Sequence, residues 1–210
     1  MKELDKLKAG FKQFRKYYFE ENPELYRQLT ERGQSPKAII IACCDSRVHP
    51  AHVMDTDPGD IFVVRNVANL VPACVDDGKT HGTSAAIEFA VKHLKVPHIV
   101  VMGHSQCGGI RALMEGEHFG RKHNFIDPWM AIMAPAKDSV NRNHSKATLD
   151  ERCELCEQAA IGVSLDNLMT FPFVQKGVEN RKLHLHGWYF DIKNGILFER
   201  VPAEDNFIPM

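Results

Sequence analysis

The chain has 210 residues, 44% of them hydrophobic, with 26 Lys and Arg against 27 Asp and Glu for a net charge of -1; that is enough for one well-packed domain with an appendage, and it offers no positive field to draw nucleic acid. Its longest apolar runs fall far short of the roughly 20 residues that span a bilayer, and an N-terminus with Glu3 and Asp5 among its lysines and no apolar run reads as neither a secretory nor an organelle leader. The expected home is therefore cytoplasmic, without a membrane partner, where six cysteines stay reduced and serve metal binding or catalysis rather than disulfides.

Leu4, Leu7, Phe11, Phe14 and Tyr18 recur at spacings of three and four, which predicts one face of an amphipathic helix. Asn22-Pro23 reads as the start of a second helix over Glu24 to Arg32, closed by Gly33. Residues 1–32 are thus expected to form a helical arm, and residues 33–210 a single α/β domain. The run Ala38-Ile39-Ile40-Ile41-Ala42 predicts a strand buried on both faces, and it stops in Cys43-Cys44-Asp45-Ser46-Arg47. After a turn at Asp57-Pro58-Gly59, Ile61 to Val64 reads as a second strand running on towards Asn69. Thr83 and Ser84 are candidate caps for a helix over Ala85 to Leu94, with Ala86, Phe89, Ala90 and His93 on one face. His98-Ile99-Val100-Val101-Met102 is the third strand, ending in Gly103-His104-Ser105-Gln106-Cys107-Gly108-Gly109 and a helix over Ile110 to Met114.

Strand, crossover helix and strand predict a mostly parallel central sheet flanked by helices, with a right-handed crossover. Downstream, Pro128 to His144 and Leu149 to Met169 read as helices, the latter placing Ile161, Leu165 and Leu168 on one face. Leu183 to Phe190, Asn194-Gly195 and Ile196 to Phe198 predict a C-terminal hairpin at the edge of the sheet. His184 and His186 share a face of its first strand, but with no third ligand nearby in sequence they read as exposed edge-strand histidines.

In parallel sheets ligands gather beyond the carboxyl ends of strands, and two such ends here carry Cys43, His104 and Cys107. This mixed sulfur and nitrogen set suits Zn2+ better than a hard cation, and three protein ligands leave one position open, as in catalytic sites. Cys107 precedes a helix N-terminus, which favours thiolate. Asp45 and Arg47 alternate onto the face of Cys43 and are placed to pair. Cys153-x-x-Cys156 has no second cysteine pair and reads as two surface or half-buried thiols rather than a structural zinc site.

Cys43-x-Asp45-Ser46-Arg47 together with His104-Ser105-x-Cys107-Gly108-Gly109 resembles the β-class carbonic anhydrases. The likeness continues through Arg65-Asn66-x-Ala68-Asn69, Gly82 to Val91, Cys156-Glu157, Leu165, Leu168 and His186-Gly187-Trp188-Tyr189. The resemblance implies a homodimer or dimer of dimers that hydrates carbon dioxide reversibly to bicarbonate and a proton. Zinc would sit on Cys43, His104 and Cys107, with Asp45 and Arg47 as the catalytic pair. Gln34, Phe62, Val67, Phe89 and Gly108 match the carbon dioxide pocket of the plant-type branch, whose residues come from both subunits, although Phe89 stands where that branch usually has Tyr. A second branch is switched off by bicarbonate through a Trp and a Gly that are Ile40 and Ala42 here, so this chain is expected to keep the open site, with Asp45 on Arg47. Two other readings use the same residues: a carbon disulfide or carbonyl sulfide hydrolase, and a non-catalytic zinc or redox sensor in which Asp45 closes the metal.

Overall fold

A computed structural model describes residues 2–116, 124–201 and 206–210, and the chain falls into two compact units, residues 1–35 and 36–210. In the first unit α1 (Lys2–Arg15) runs through a π turn at Lys16–Glu21 into α2 (Glu24–Arg32), which Gly33 closes at φ 73°. The apolar stripe divides at the π turn. Its i→i+5 winding brings Phe19 onto Phe14, and with Tyr18 and Tyr26 these rings form a cluster with centroids 4.7–6.2 Å apart. Leu4, Leu7 and Phe11 remain exposed.

The second unit is a six-stranded sheet of β1 (Ala38–Cys43), β2 (Ile61–Asn66), β3 (His98–His104), β4 (His184–Asp191), β5 (Ile196–Val201) and β6 (Asn206–Pro209), in the order β2-β1-β3-β4-β5-β6. The first four strands in that order are parallel, and β5 and β6 are antiparallel additions. Unbroken burial of Ile39–Cys43 and Ile99–His104 marks β1 and β3 as the covered centre, as expected for strands with both faces packed.

Around the sheet lie α3 (Pro50–Val53), α4 (Gly82–Glu88), α5 (Gly108–Glu115), α6 (Ile126–Met130), α7 (Ala134–Asn143), α8 (Leu149–Met169) and α9 (Pro172–Glu179). Helix α8 starts on a capping box in which the Glu151 N–H donates to Thr148 Oγ1 at 3.3 Å and the Thr148 N–H donates to Glu151 Oε2 at 2.7 Å. Its Ile161, Leu165 and Leu168 pack on Ile39, Ile41, Ile99 and Val101, one face of the sheet. Among the described residues no helix is long and apolar enough to cross a membrane.

Several elements differ from the sequence reading. Strand β2 stops at Asn66, because the Asn66 side chain donates to the Leu70 carbonyl and accepts from the Leu70 N–H, both at 2.8 Å, closing a turn in which Ala68 and Asn69 take φ 62° and 51°. Thr83 and Ser84 lie inside α4 rather than capping it. Ile87 and Ala90 form its buried face, and the π turn at Phe89–His93 presents Phe89 and His93 outward with their rings 5.3 Å apart. The segment expected as one helix from Pro128 breaks at a 3-10 turn, Ala131–Met133, and α7 restarts with Pro135 in its first turn, where its missing N–H costs no hydrogen bond. Strand β4 is not an edge, being paired to β3 on one side and β5 on the other, and Cys153 and Cys156, expected at or near the surface, are buried on the inner face of α8.

Candidate metal centre and active site

Register alone brings the predicted ligands together. β1 and β3 are parallel neighbours, so Cys43 and His104 leave the sheet side by side, and the short turn after His104 returns Cys107 to the N-terminal boundary of α5. Cys43 Sγ, Cys107 Sγ and a His104 ring nitrogen all lie within 4.8 Å of one another, and all three residues are buried. Close packing beneath the turn depends on Gly109, where a Cβ would meet Val67 Cγ1 at 3.1 Å and Ala68 Cβ at 3.3 Å.

His104 Nδ1 lies 2.8 Å from the Ser105 carbonyl. Since a carbonyl only accepts, Nδ1 carries the proton and Nε2 is left with its lone pair, the tautomer a metal takes. That Nε2 is buried and has no hydrogen-bond partner. The N–H groups of Asp45 and Ala68 each approach Cys43 Sγ to 3.4 Å. The neighbouring Cys107 thiol pulls Cys43 below the usual thiol range, against the cost of burial, and the same proximity and burial push Cys107 up. An orphaned imidazole nitrogen beside two thiols that share one proton fits a Cys2His zinc site.

Asp45 sits beside this tripod in a bidentate pair: Arg47 Nε donates to Oδ1 at 2.9 Å and Nη2 to Oδ2 at 2.7 Å, while the Arg47 N–H donates to Oδ1 at 2.9 Å. The guanidinium holds the carboxyl well below the usual carboxylate range. Arg47 is held in turn by the Gln106 carbonyl at 3.0 Å, and Gln106 adopts φ 59° to present it. Arg65 spans from β2 to donate to the carbonyls of Cys43 at 2.9 Å and Asp45 at 2.6 Å. Asp45 is thus paired with Arg47 rather than turned towards the ligand cluster.

Of the expected pocket residues, Val67 and Gly108 adjoin the tripod, since Val67 packs with Cys43 and Cys107 and Gly108 follows Cys107. Phe62 pairs in register with Ile39, four residues before Cys43, and its ring lies 6.0 Å from Phe89, itself 43% exposed. One copy of the chain therefore does not bring Phe62 and Phe89 to the metal ligands. Gln34 belongs to the unit of residues 1–35 and is exposed.

Glu157 had no role in the sequence reading, yet its buried carboxylate accepts from the Cys107 N–H at 2.8 Å and from the Tyr189 hydroxyl at 2.9 Å. A carboxylate within the apolar series Cys153, Cys156, Ala160 and Ile161 was the available signal. Burial raises Glu157 from 4.5 to about 7. A carboxyl raised in the folded state lends stability that is full below its unfolded value and lost as pH rises through its folded one. Zinc-free protein should therefore lose up to about 3 kcal/mol between pH 4.5 and 8 on this account. Urea unfolding across that range should show a flatter profile for Glu157→Gln; an unchanged slope would rule out this assignment.

Two thiols and an imidazole at adjacent strand ends, beside an ion-paired carboxylate, form a cluster that could hold a metal ion. The family profile described as carbonic anhydrase matches residues 38–197. Beta carbonic anhydrase 3 of Arabidopsis thaliana is 39% identical over 194 residues, covering 91% of this chain and 74% of its own length. The solved β-carbonic anhydrase CcaA superposes with a TM-score of 0.92 at 29% identity, covering 99% of this chain and 100% of that one. A structure from work on two tetrameric β-carbonic anhydrases of the ascomycete Sordaria macrospora gives 0.78 at 31% identity, covering 95% and 97%. The chain belongs to the β-class carbonic anhydrase family, and carbonic anhydrase activity goes with that membership.

Proposed function

We propose that this protein hydrates carbon dioxide reversibly to bicarbonate and a proton, with one Zn2+ on Cys43, His104 and Cys107. The observation that carries the reading is the buried, unpartnered His104 Nε2 grouped with two thiols. Zinc held there would supply a Lewis acid that makes water nucleophilic, at a more alkaline pH than an all-histidine site does because two thiolates offset its charge. The chain's own residues do the rest. Asp45, ionised and immobilised by Arg47, accepts a hydrogen bond from the reacting water and turns its lone pair towards the carbon. Glu157 and Tyr189 hold Cys107 in place through its N–H. Val67 and Gly108 line the near side of the substrate pocket, and Gln34, Phe62 and Phe89 complete it from a second copy of the chain.

That division of the pocket makes the active form a homodimer or a dimer of dimers. Residues 1–32 act as an arm whose exposed Leu4, Leu7 and Phe11 clasp the other copy, and relatives that are tetrameric support such an assembly. The test combines zinc analysis, stopped-flow carbon dioxide hydration and sedimentation on one preparation. One zinc per chain, rapid hydration and no monomer are expected, with zinc and activity lost together in Cys43→Ser. Wild-type protein with a full complement of zinc but hydration no faster than buffer would overturn the catalytic reading, and an active monomer would overturn the shared pocket.

A further inference from the structure

At the other end of the sheet three imidazoles meet without any role in this chemistry. His98 and His184 open β3 and β4 and are register partners, and His186 lies two residues on, so all three project from one face. His98 Nδ1 stands 3.1 Å from His186 Nε2, and the His98 ring centroid lies 5.4 Å from that of His184 and 5.2 Å from that of His186. Glu199 of β5 places Oε1 3.4 Å from His186 Nδ1. At a rise of about 3.3 Å per residue, the six residues separating His98 from His104 place this cluster roughly 20 Å from the tripod. The pair His184 and His186 lacked a third ligand in the sequence, and parallel pairing with β3 supplies one.

We propose that His98, His184 and His186 form a second metal site, selective for a borderline divalent transition ion such as Ni2+, Cu2+ or Zn2+. Two imidazole nitrogens about 3 Å apart are near the ligand separation of a tetrahedral ion with metal–nitrogen bonds of about 2.0–2.1 Å. In the metal-free cluster a proton lies between His98 Nδ1 and His186 Nε2. The ion takes its place: His98 shifts to its Nε2–H tautomer, so both facing nitrogens offer lone pairs and no net proton is lost. His186 Nδ1–H then faces Glu199, the carboxylate–imidazole–metal arrangement that fixes ring orientation and raises ligand basicity. His184, exposed at the start of β4, turns in as the third ligand. Burial and the two neighbouring imidazoles lower the His98 pKa, which keeps it neutral and ligand-competent at physiological pH. An all-imidazole set without thiolate or multiple carboxylates disfavours Mg2+ and Ca2+.

The test titrates the zinc-loaded enzyme with Ni2+ at pH 7.5 by calorimetry, with released zinc monitored in parallel. One saturable Ni2+ per chain at micromolar affinity is expected, with no zinc released. His186→Gln and the exposed-site variant His184→Ala should each weaken binding about tenfold or more while carbon dioxide hydration stays at the wild-type rate. Ni2+ uptake matched by zinc release, no saturable uptake by the wild type, or equal affinity in wild type and His184→Ala would each overturn the site.

Discussion

Asp45→Asn should lower carbon dioxide hydration by about a hundredfold or more while zinc remains near one per chain. The carboxylate receives three hydrogen bonds from Arg47, two from the guanidinium and one from the backbone, so its orientation is set before substrate arrives. An amide keeps one acceptor oxygen but turns an NH2 either towards the guanidinium or towards the reacting water, and neither position tolerates a donor. Because Arg47 depresses the Asp45 pKa, Asp45 stays ionised across the working range, and its protonation contributes no step to the pH profile of turnover above pH 5. Loss of zinc in Asp45→Asn would instead make the carboxylate a ligand or a support of the tripod. That outcome would favour the sensor reading, in which Asp45 must leave Arg47 to close the metal.

What was legible in the sequence follows from how local each signal is. The strands that carry Cys43 and His104 were readable because burial on both faces demands an unbroken apolar run, and such a run ends visibly where the chemistry begins. Cys107 was readable because the turn that returns it is only a few residues long. Glu157 was not, since its value depends on a hydrogen bond to a backbone N–H 50 residues earlier, and nothing in the neighbourhood of Glu157 states which strand end α8 will cover. His98 was missed for the same reason, lying 88 residues from His186 and joined to it only by strand order. The outward turn of Phe89 and His93 had another cause. The backbone winds as a π turn at Phe89–His93 instead of keeping the α-helical period, which moves the buried face to Ile87 and Ala90.

The packing that delivers Glu157 makes Gly187→Val the substitution expected to cost most in stability. A Cβ at Gly187 would fall 2.8 Å from Ile161 Cγ2 and 3.1 Å from Leu165 Cδ1, and one at Gly103 on the neighbouring strand would fall 2.8 Å from Ile161 Cδ1. Ile161 is fully buried and β-branched, so it has no free rotamer to retreat into, and α8 must lift from the sheet. Overpacking of this kind costs about 3 kcal/mol, which for a chain of this size lowers the Tm by roughly 6–12 °C. The same displacement moves Glu157, one turn earlier on α8, away from the Cys107 N–H, so zinc affinity should fall about tenfold although the substituted residue touches no ligand. Ile161→Ala removes Cγ2, the atom that a side chain at position 187 would strike, so the double variant should lose less than the sum of the two single losses, a coupling that independent sites would not show. If Gly187→Val melts with the wild type and keeps its zinc, the close approach of α8 is not what positions Cys107.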